Sequence, residues 1–134
     1  MSGAGRVVRA AASYWAVVFA LGFVLGTVRV LWVIPRIGMV PATLLELPVI
    51  LAASWFAAGW LVRRFALKAG GEALAVGALA FAILMAAESA LAGVLSGQSP
   101  AQWLAGLSEP HAVLGLAGQV VFALMPWWRA RGGL

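Results

Sequence analysis

Three ionisable residues lie inside stretches of sequence that are otherwise almost wholly apolar: Arg29, Glu46 and Glu88. An ionisable side chain in an apolar membrane layer costs about 2.5–3.5 kcal/mol on insertion scales unless it is paired or hydrated. Such residues therefore indicate either an internal ion pair that fixes the packing of helices or a site that handles protons.

Two interpretations of these residues follow from their charges. In the first, the guanidinium of Arg29 binds the carboxylates of both Glu46 and Glu88 and thereby fixes the packing of the helices. Gln119 would add an amide to the same polar interior. In the second, one arginine neutralises two glutamates incompletely, so that one carboxyl carries a proton and serves proton-linked transport or a gate. Arg36, or water in an outward-facing pocket, could also compensate the excess negative charge.

A metal site is a weaker interpretation. His111 and Glu109 could bind a metal together with Glu88, but scattered ligands without a characteristic spacing are a poor indication of one. A polar pair at the outer rim is simpler. The sequence has no cysteine, which removes the commonest zinc and iron–sulfur ligands. We expect no metal and no cofactor.

An enzymatic role is also not favoured by the residue types. The serines and threonines have no histidine partner at triad-like positions, and hydroxyls in membrane helices usually bond to a backbone carbonyl. We therefore expect no nucleophile and no enzyme. A membrane enzyme that acts on lipid at the outer face through Glu46, Glu88 and His111 is the alternative.

Composition places these residues in a membrane. Of the 134 residues, 64% are hydrophobic and 10% are charged, whereas about a quarter are charged in soluble proteins. A chain with so few charged residues has too little polar surface to cover an apolar core in water. The net charge of +5 could indicate nucleic-acid binding, but the basic residues lie between apolar runs and form no stripe. We expect no nucleic-acid partner.

Four segments are long and apolar enough to cross a bilayer as helices, which requires about 20 residues each. The predicted spans cover approximately residues 10–33, 41–62, 73–95 and 110–128. Ser99 and Pro100 are typical of an N-cap and a first helical residue, and predict a short interfacial helix in the second outer loop. The sequence thus predicts a single all-α domain over residues 1–134, an integral membrane four-helix bundle.

The basic residues predict the orientation of this bundle. One side of the alternating topology carries most of them: Arg6, Arg9, Arg63, Arg64, Lys68, Arg129 and Arg131. Arg29 and Arg36 lie towards the other side. The positive-inside rule then places both termini in the cytoplasm. We expect a multi-pass protein of a bacterial cytoplasmic membrane, with anionic lipid at its basic face and with Tyr14 and Trp15 in the cytoplasmic aromatic belt.

The three ionisable residues fall in the outer half of this layout, and their direction follows from helical periodicity. Gly22 and Gly26 form a small-residue face suited to helix packing, and Arg29 lies within about 20° of it. Glu88 follows Gly77 at a spacing that returns to nearly the same face of its helix. Arg29 and Glu88 should therefore both point into the bundle.

A proline interrupts the second span beside its carboxylate. Pro48 lacks an N–H and frees the carbonyl of Leu44 from its helical hydrogen bond. We expect the helix to be kinked or loosened next to Glu46 as a result.

One stretch of the second span carries a family resemblance. Leu44-Leu45-Glu46-Leu47-Pro48, followed by Ala53-Ser54-Trp55 and by Leu61-Val62-Arg63-Arg64-Phe65, resembles small four-span inner-membrane proteins of bacteria that have no assigned activity. The resemblance extends loosely over most of the chain. It implies the four-span architecture and a bacterial membrane, and it implies no activity or cofactor.

Two functional classes are compatible with these features. One is a structural or accessory subunit that binds lipid, a second copy of the chain or another membrane protein, and that is held together by the ion cluster. The other is a small oligomeric proton-linked transporter or channel that uses Glu46 or Glu88. The inner halves of the spans, as over residues 17–25 and 75–87, are almost purely apolar. A monomer therefore offers no hydrated path, which favours the accessory subunit.

Overall fold

The computed structural model describes residues 3–68 and 70–131, and the regular structure of these residues is all helical. The elements are α1 (Gly3–Val28), a π-helical turn (Arg29–Val33), α2 (Ile34–Ile37), α3 (Met39–Phe65), α4 (Gly71–Ser96), α5 (Pro100–Gly106) and α6 (Pro110–Arg131). The first three are continuous as one helix of 35 residues. This helix, α3, α4 and α6 are each long and apolar enough to cross a membrane, and each contains one of the predicted segments.

The first long helix extends beyond its predicted end at residue 33. It continues to Ile37, and the chain turns at Gly38, whose φ of +90° lies in a region that side chains rarely adopt. The short helix predicted after Ser99 is present as α5. Its N-cap is a capping box, in which the Ser99 hydroxyl accepts from the Gln102 backbone and the Gln102 side chain accepts from Ser99.

A proline explains the π-helical turn. Pro35 has no N–H to donate to the carbonyl of Leu31, and its ring would crowd that carbonyl in a regular α-helix. The wider turn relieves the crowding, and the N–H of Ile34 donates to the carbonyl of Arg29, five residues back. The turn therefore begins at Arg29, one of the predicted site residues.

The four long helices pack in a ring. α1 packs against α3 and α4, and α6 packs against the same two helices, so α1 lies diagonally across from α6. We call the end where α1 begins and α6 finishes the terminal end, and the opposite end, which carries α2 and α5, the distal end. The core lies mainly towards the terminal end and is rich in small residues. Its members with no exposed surface are Ala10, Ala11, Tyr14, Ala58, Leu61, Ala73, Val76 and Ala80.

Tyr14 spans the diagonal of this core, and its prediction as a residue of the aromatic belt is wrong. The side chain is 0% exposed, its ring stacks on Phe122 with 4.2 Å between centroids, and its hydroxyl donates to the Phe122 carbonyl at 2.6 Å. That carbonyl lacks its normal helical donor, because the residue four positions on is Pro126. Burial of a tyrosine hydroxyl is tolerated when such an acceptor is present.

The backbones of α4 and α6 approach each other closely at Gly77. A Cβ atom there would collide with the carbonyl oxygen of Ala123, so α4 and α6 touch at this point. Gly22 and Gly26, for which a helix-packing role is predicted, leave more room than Gly77. A Cβ at either residue would lie 3.7 Å from its nearest neighbour, an ordinary van der Waals distance.

Substitution of Gly77 by alanine should therefore destabilise the bundle, by about 1–3 kcal/mol, because an added methyl overpacks the contact between α4 and α6. A methyl group added at Gly115, which lies within α6, would meet nothing within 4 Å, and Gly115→Ala should be neutral or stabilising because alanine favours the helix. Thermal unfolding of both variants in detergent measures the difference. Equal shifts of the melting temperature would contradict the close contact.

Candidate functional site

The four long helices separate in the distal half and surround a cavity of about 720 Å³. Most of its wall is apolar and includes aromatic side chains; examples are Phe19, Phe23, Leu91, Trp103 and Phe122. Glycines at positions 22, 26 and 115 also line it. A Cβ atom at Gly115 would meet nothing within 4 Å, so a larger side chain at this position would reduce the volume of the cavity.

All four residues of the predicted ion cluster line this cavity: Arg29, Glu46, Glu88 and Gln119. The prediction that helical periodicity turns Arg29 and Glu88 towards the bundle interior agrees with this placement. The four side chains come from α3, α4, α6 and the π-helical turn. They do not form one cluster, however, and instead make two separate pairs.

The first pair joins the first long helix to α3. Nη1 of Arg29 donates to Oε2 of Glu46 in an ion pair. The guanidinium lies beside Gly26, where a Cβ atom would be 3.7 Å from Nη2, so the small residue makes room for the arginine. The carboxylate of Glu46 is 15% exposed and Arg29 is 33% exposed. A charge-assisted hydrogen bond between two adjacent helices is the polar contact that stabilises helix association in an apolar medium.

The second pair joins α4 to α6. Nε2 of Gln119 donates to Oε1 of Glu88 at 2.6 Å. The ion pairs within the described residues are Arg6–Glu72, Arg29–Glu46 and His111–Glu109, and none of them includes Glu88. The expectation that Arg29 forks between both carboxylates is therefore not met: α1 adjoins α3 and presents its guanidinium to Glu46, while Glu88 faces the amide of Gln119.

The polar residues at the rim of the cavity, Arg36, Glu109 and His111, form no ion pair with Glu88. Arg36 donates from Nη1 to the carbonyl of Trp32 at 2.6 Å and is exposed. His111 lines the cavity, but its Nδ1 is 3.7 Å from Oε2 of Glu109, which is 62% exposed. Within the described part of the chain, no three histidine, aspartate or glutamate side chains converge as metal ligands.

The two buried hydroxyl groups of the cavity wall donate hydrogen bonds to backbone carbonyls of their own helix. Thr43 donates to the carbonyl of Met39 at 2.9 Å, and Ser54 donates to the carbonyl of Ile50 at 2.8 Å. Both residues line the cavity. With the hydroxyl hydrogens engaged in this way and no imidazole bonded to either, these residues stabilise the helix instead of providing a nucleophile.

Sequence reasoning missed two contacts at the terminal end. Arg6 pairs with Glu72 and thereby ties the start of α1 to the start of α4. Arg129 packs its guanidinium 4.6 Å from the centre of the Trp55 ring and against Gly59. The Arg6 pair had a readable signal, since both residues flank predicted spans on the same side. The Arg129 contact had none, because it depends on which helix adjoins α6.

The sequence matches no known family model, and neither a curated protein nor a solved structure is detectably similar to it. The chemistry of the cavity therefore has to follow from its own residues. These residues provide apolar walls, a neutral Arg29–Glu46 pair, and one carboxylate, Glu88, that is hydrogen-bonded by an amide.

Loss of the arginine should be more harmful than loss of the whole ion pair. Arg29→Met leaves the Glu46 carboxylate without a partner among apolar side chains, which should cost about 1–3 kcal/mol of stability, whereas the double variant Arg29→Met/Glu46→Met should recover most of that loss. Thermal unfolding in a neutral detergent measures both. Arg36→Met is the matched control and should have a small effect. Similar losses in Arg29→Met and Arg36→Met would argue against a stabilising pair.

Proposed function

We propose that this chain is an accessory binding subunit of a bacterial cytoplasmic membrane, which holds an amphipathic small molecule in the distal cavity between its helices. The observation that carries the proposal is the cavity itself. Its volume of about 720 Å³ and its largely apolar wall with a few polar groups match the general form of small-molecule sites. The ion pair between Arg29 and Glu46 would hold the cavity open by fixing the first long helix against α3.

The proposed orientation puts both termini in the cytoplasm and the cavity in the outer half of the bilayer. The basic side chains at the terminal end support it, since Arg63 and Arg64 finish α3 and Arg129 and Arg131 finish α6. In this orientation α5 would lie in the outer interface, with Trp103 and Leu107 turned to the cavity and Leu104 exposed.

Packing at the terminal end supports a binding subunit over a channel. Beneath the cavity, the described residues are closely packed and mainly apolar: the rings of Tyr14 and Phe122 stack, Leu61 and Val76 are buried, and α4 contacts α6 at Gly77. A bound molecule would therefore enter and leave from the outer leaflet or the outer aqueous phase. The apolar outer surface of the bundle would be available to lipid, to a second copy or to a larger membrane protein.

A proton-linked transporter is the second candidate, and the observation that favours it is the lack of a cationic partner for Glu88 among the described residues. Transport would require the packed terminal half to open or an oligomer to supply the path. A pH gradient across proteoliposomes tests this directly: a flux that Glu88→Gln abolishes would replace the binding subunit by the transporter.

Blocking the cavity should remove its capacity for an apolar guest. We expect Gly115→Leu to lower labelling of the cavity residue Leu91 by a neutral phenyl diazirine photolabel in proteoliposomes at least threefold, because the new side chain occupies the cavity. Phe56, which is 72% exposed, gives the reference level for lipid-facing positions. Gly106→Leu is the matched control, since Gly106 lies outside the cavity lining and has open space around it. Unchanged labelling of Leu91 in Gly115→Leu would contradict the proposal.

The orientation has its own test, for which a chain without cysteine is a natural background. Lys68→Cys and Gln98→Cys place single thiols at exposed positions of opposite ends. A membrane-impermeant maleimide should label Gln98→Cys in intact bacterial cells and Lys68→Cys only after permeabilisation. Labelling of both variants in intact cells, or of Lys68→Cys alone, would overturn the proposed orientation.

A further inference from the structure

We propose that the distal cavity is a site for a lipophilic organic cation, a molecule with a quaternary ammonium or phosphonium type of head on an apolar body, and that Glu88 is the residue that neutralises its charge. This inference rests on the proposed function, because it requires that the cavity hold a guest. It adds the chemical class of that guest, which is determined by the charges and surfaces that the cavity presents.

The formal charge of the cavity wall is negative. Arg29, Glu46 and Glu88 are the charged side chains among the lining residues when His111 is neutral. Because Arg29 forms its ion pair with Glu46, Glu88 has no ion-pair partner, and the formal charges of these three residues sum to −1. In the described part of the chain, Oε1 of Glu88 accepts from Gln119 and Oε2 has no hydrogen-bond partner. A carboxylate in such apolar surroundings is stabilised most by a cation placed next to it.

The wall selects the kind of cation. Phe19, Phe23 and Trp103 present aromatic surface to the cavity, and aromatic faces attract weakly hydrated organic cations as well as apolar groups. An inorganic divalent ion would need several more oxygen ligands. Among the described residues, Glu88 belongs to no group of three acidic or histidine side chains that could hold a metal ion. The cavity volume of about 720 Å³ also suits a drug-sized molecule and not a bare ion.

The single basic side chain of the wall argues against anionic and zwitterionic guests. Arg29 is the one arginine or lysine among the described lining residues, and Glu46 already occupies it. A phosphate group would have to break that ion pair or lie unpaired in an apolar cavity, which is costly. A guest with one positive charge and no negative charge avoids both costs.

Two isosteric ions of opposite charge test the proposal. Radiolabelled tetraphenylphosphonium should bind saturably to the full chain in a neutral detergent, and tetraphenylborate, which has nearly the same shape, should bind at least tenfold more weakly. Glu88→Gln should lower the affinity for tetraphenylphosphonium at least tenfold. Glu109→Gln, which removes an exposed carboxylate outside the cavity lining, should leave the affinity unchanged. Equal binding of the two ions, or an unaffected Glu88→Gln variant, would overturn the proposal.

A second variant and a competition complete the test. If Glu88→Gln unfolds, Glu88→Asp keeps the charge and should retain measurable tetraphenylphosphonium binding. Complete loss of binding in a folded Glu88→Asp variant would count against a charge-based site.

Displacement of the cation by phosphatidylethanolamine, but not by phosphatidylglycerol, would reassign the cavity to a bilayer lipid. Diazirine labelling of Leu91 distinguishes failure of this inference from failure of the proposed function. If Leu91 is labelled but the cation does not bind, the cavity accepts a guest and only the proposed class of guest is wrong. If Leu91 is not labelled either, the proposed function is wrong as well.

Discussion

Four long apolar helices that meet in an apolar solvent gain little from hydrophobic burial, so their polar groups and their small residues have to hold them together. Backbone carbonyls without a helical donor must also find a partner inside the protein. The hydroxyl of Tyr14 meets this requirement at the carbonyl of Phe122, which Pro126 leaves without a donor. The contact crosses the centre of the bundle, and it ties α1 to α6 although these helices lie diagonally opposite each other.

The distribution of small residues then divides the bundle into two unlike halves. Alanines and Gly77 bring the helices close in the terminal half, where the core lies. In the distal half, Gly22, Gly26 and Gly115 line the cavity, and a Cβ atom at Gly115 would meet nothing within 4 Å. The same residue type thus has opposite effects: it permits contact where the helices converge, and it leaves a cavity where they diverge.

Prolines lie next to the polar side chains of that cavity. Pro35 causes the π-helical turn that begins at Arg29, and Pro48 lies one turn of helix from the carbonyl of Leu44, close to Glu46. The ion pair therefore joins α3, which continues as an α-helix through Pro48, to the first long helix at its π-helical turn. Because Arg29 is engaged in this pair, Glu88 is left with an amide as its partner, and the proposed ligand depends on the formal negative charge that results.

The sequence by itself determined that the chain forms four helices of membrane-spanning length, that α5 begins after Ser99, and that Arg29 and Glu88 turn inwards. Hydropathy, capping residues and helical periodicity are local properties, so they can be read without knowing the neighbours of a helix. Only the tertiary structure decided which side chains meet. Arg29 binds Glu46 and leaves Glu88 to Gln119 because α1 adjoins α3 while α4 adjoins α6, and Tyr14 is buried because a freed carbonyl lies opposite it. Periodicity gives the face of a helix that points inwards, but not the helix that this face will meet.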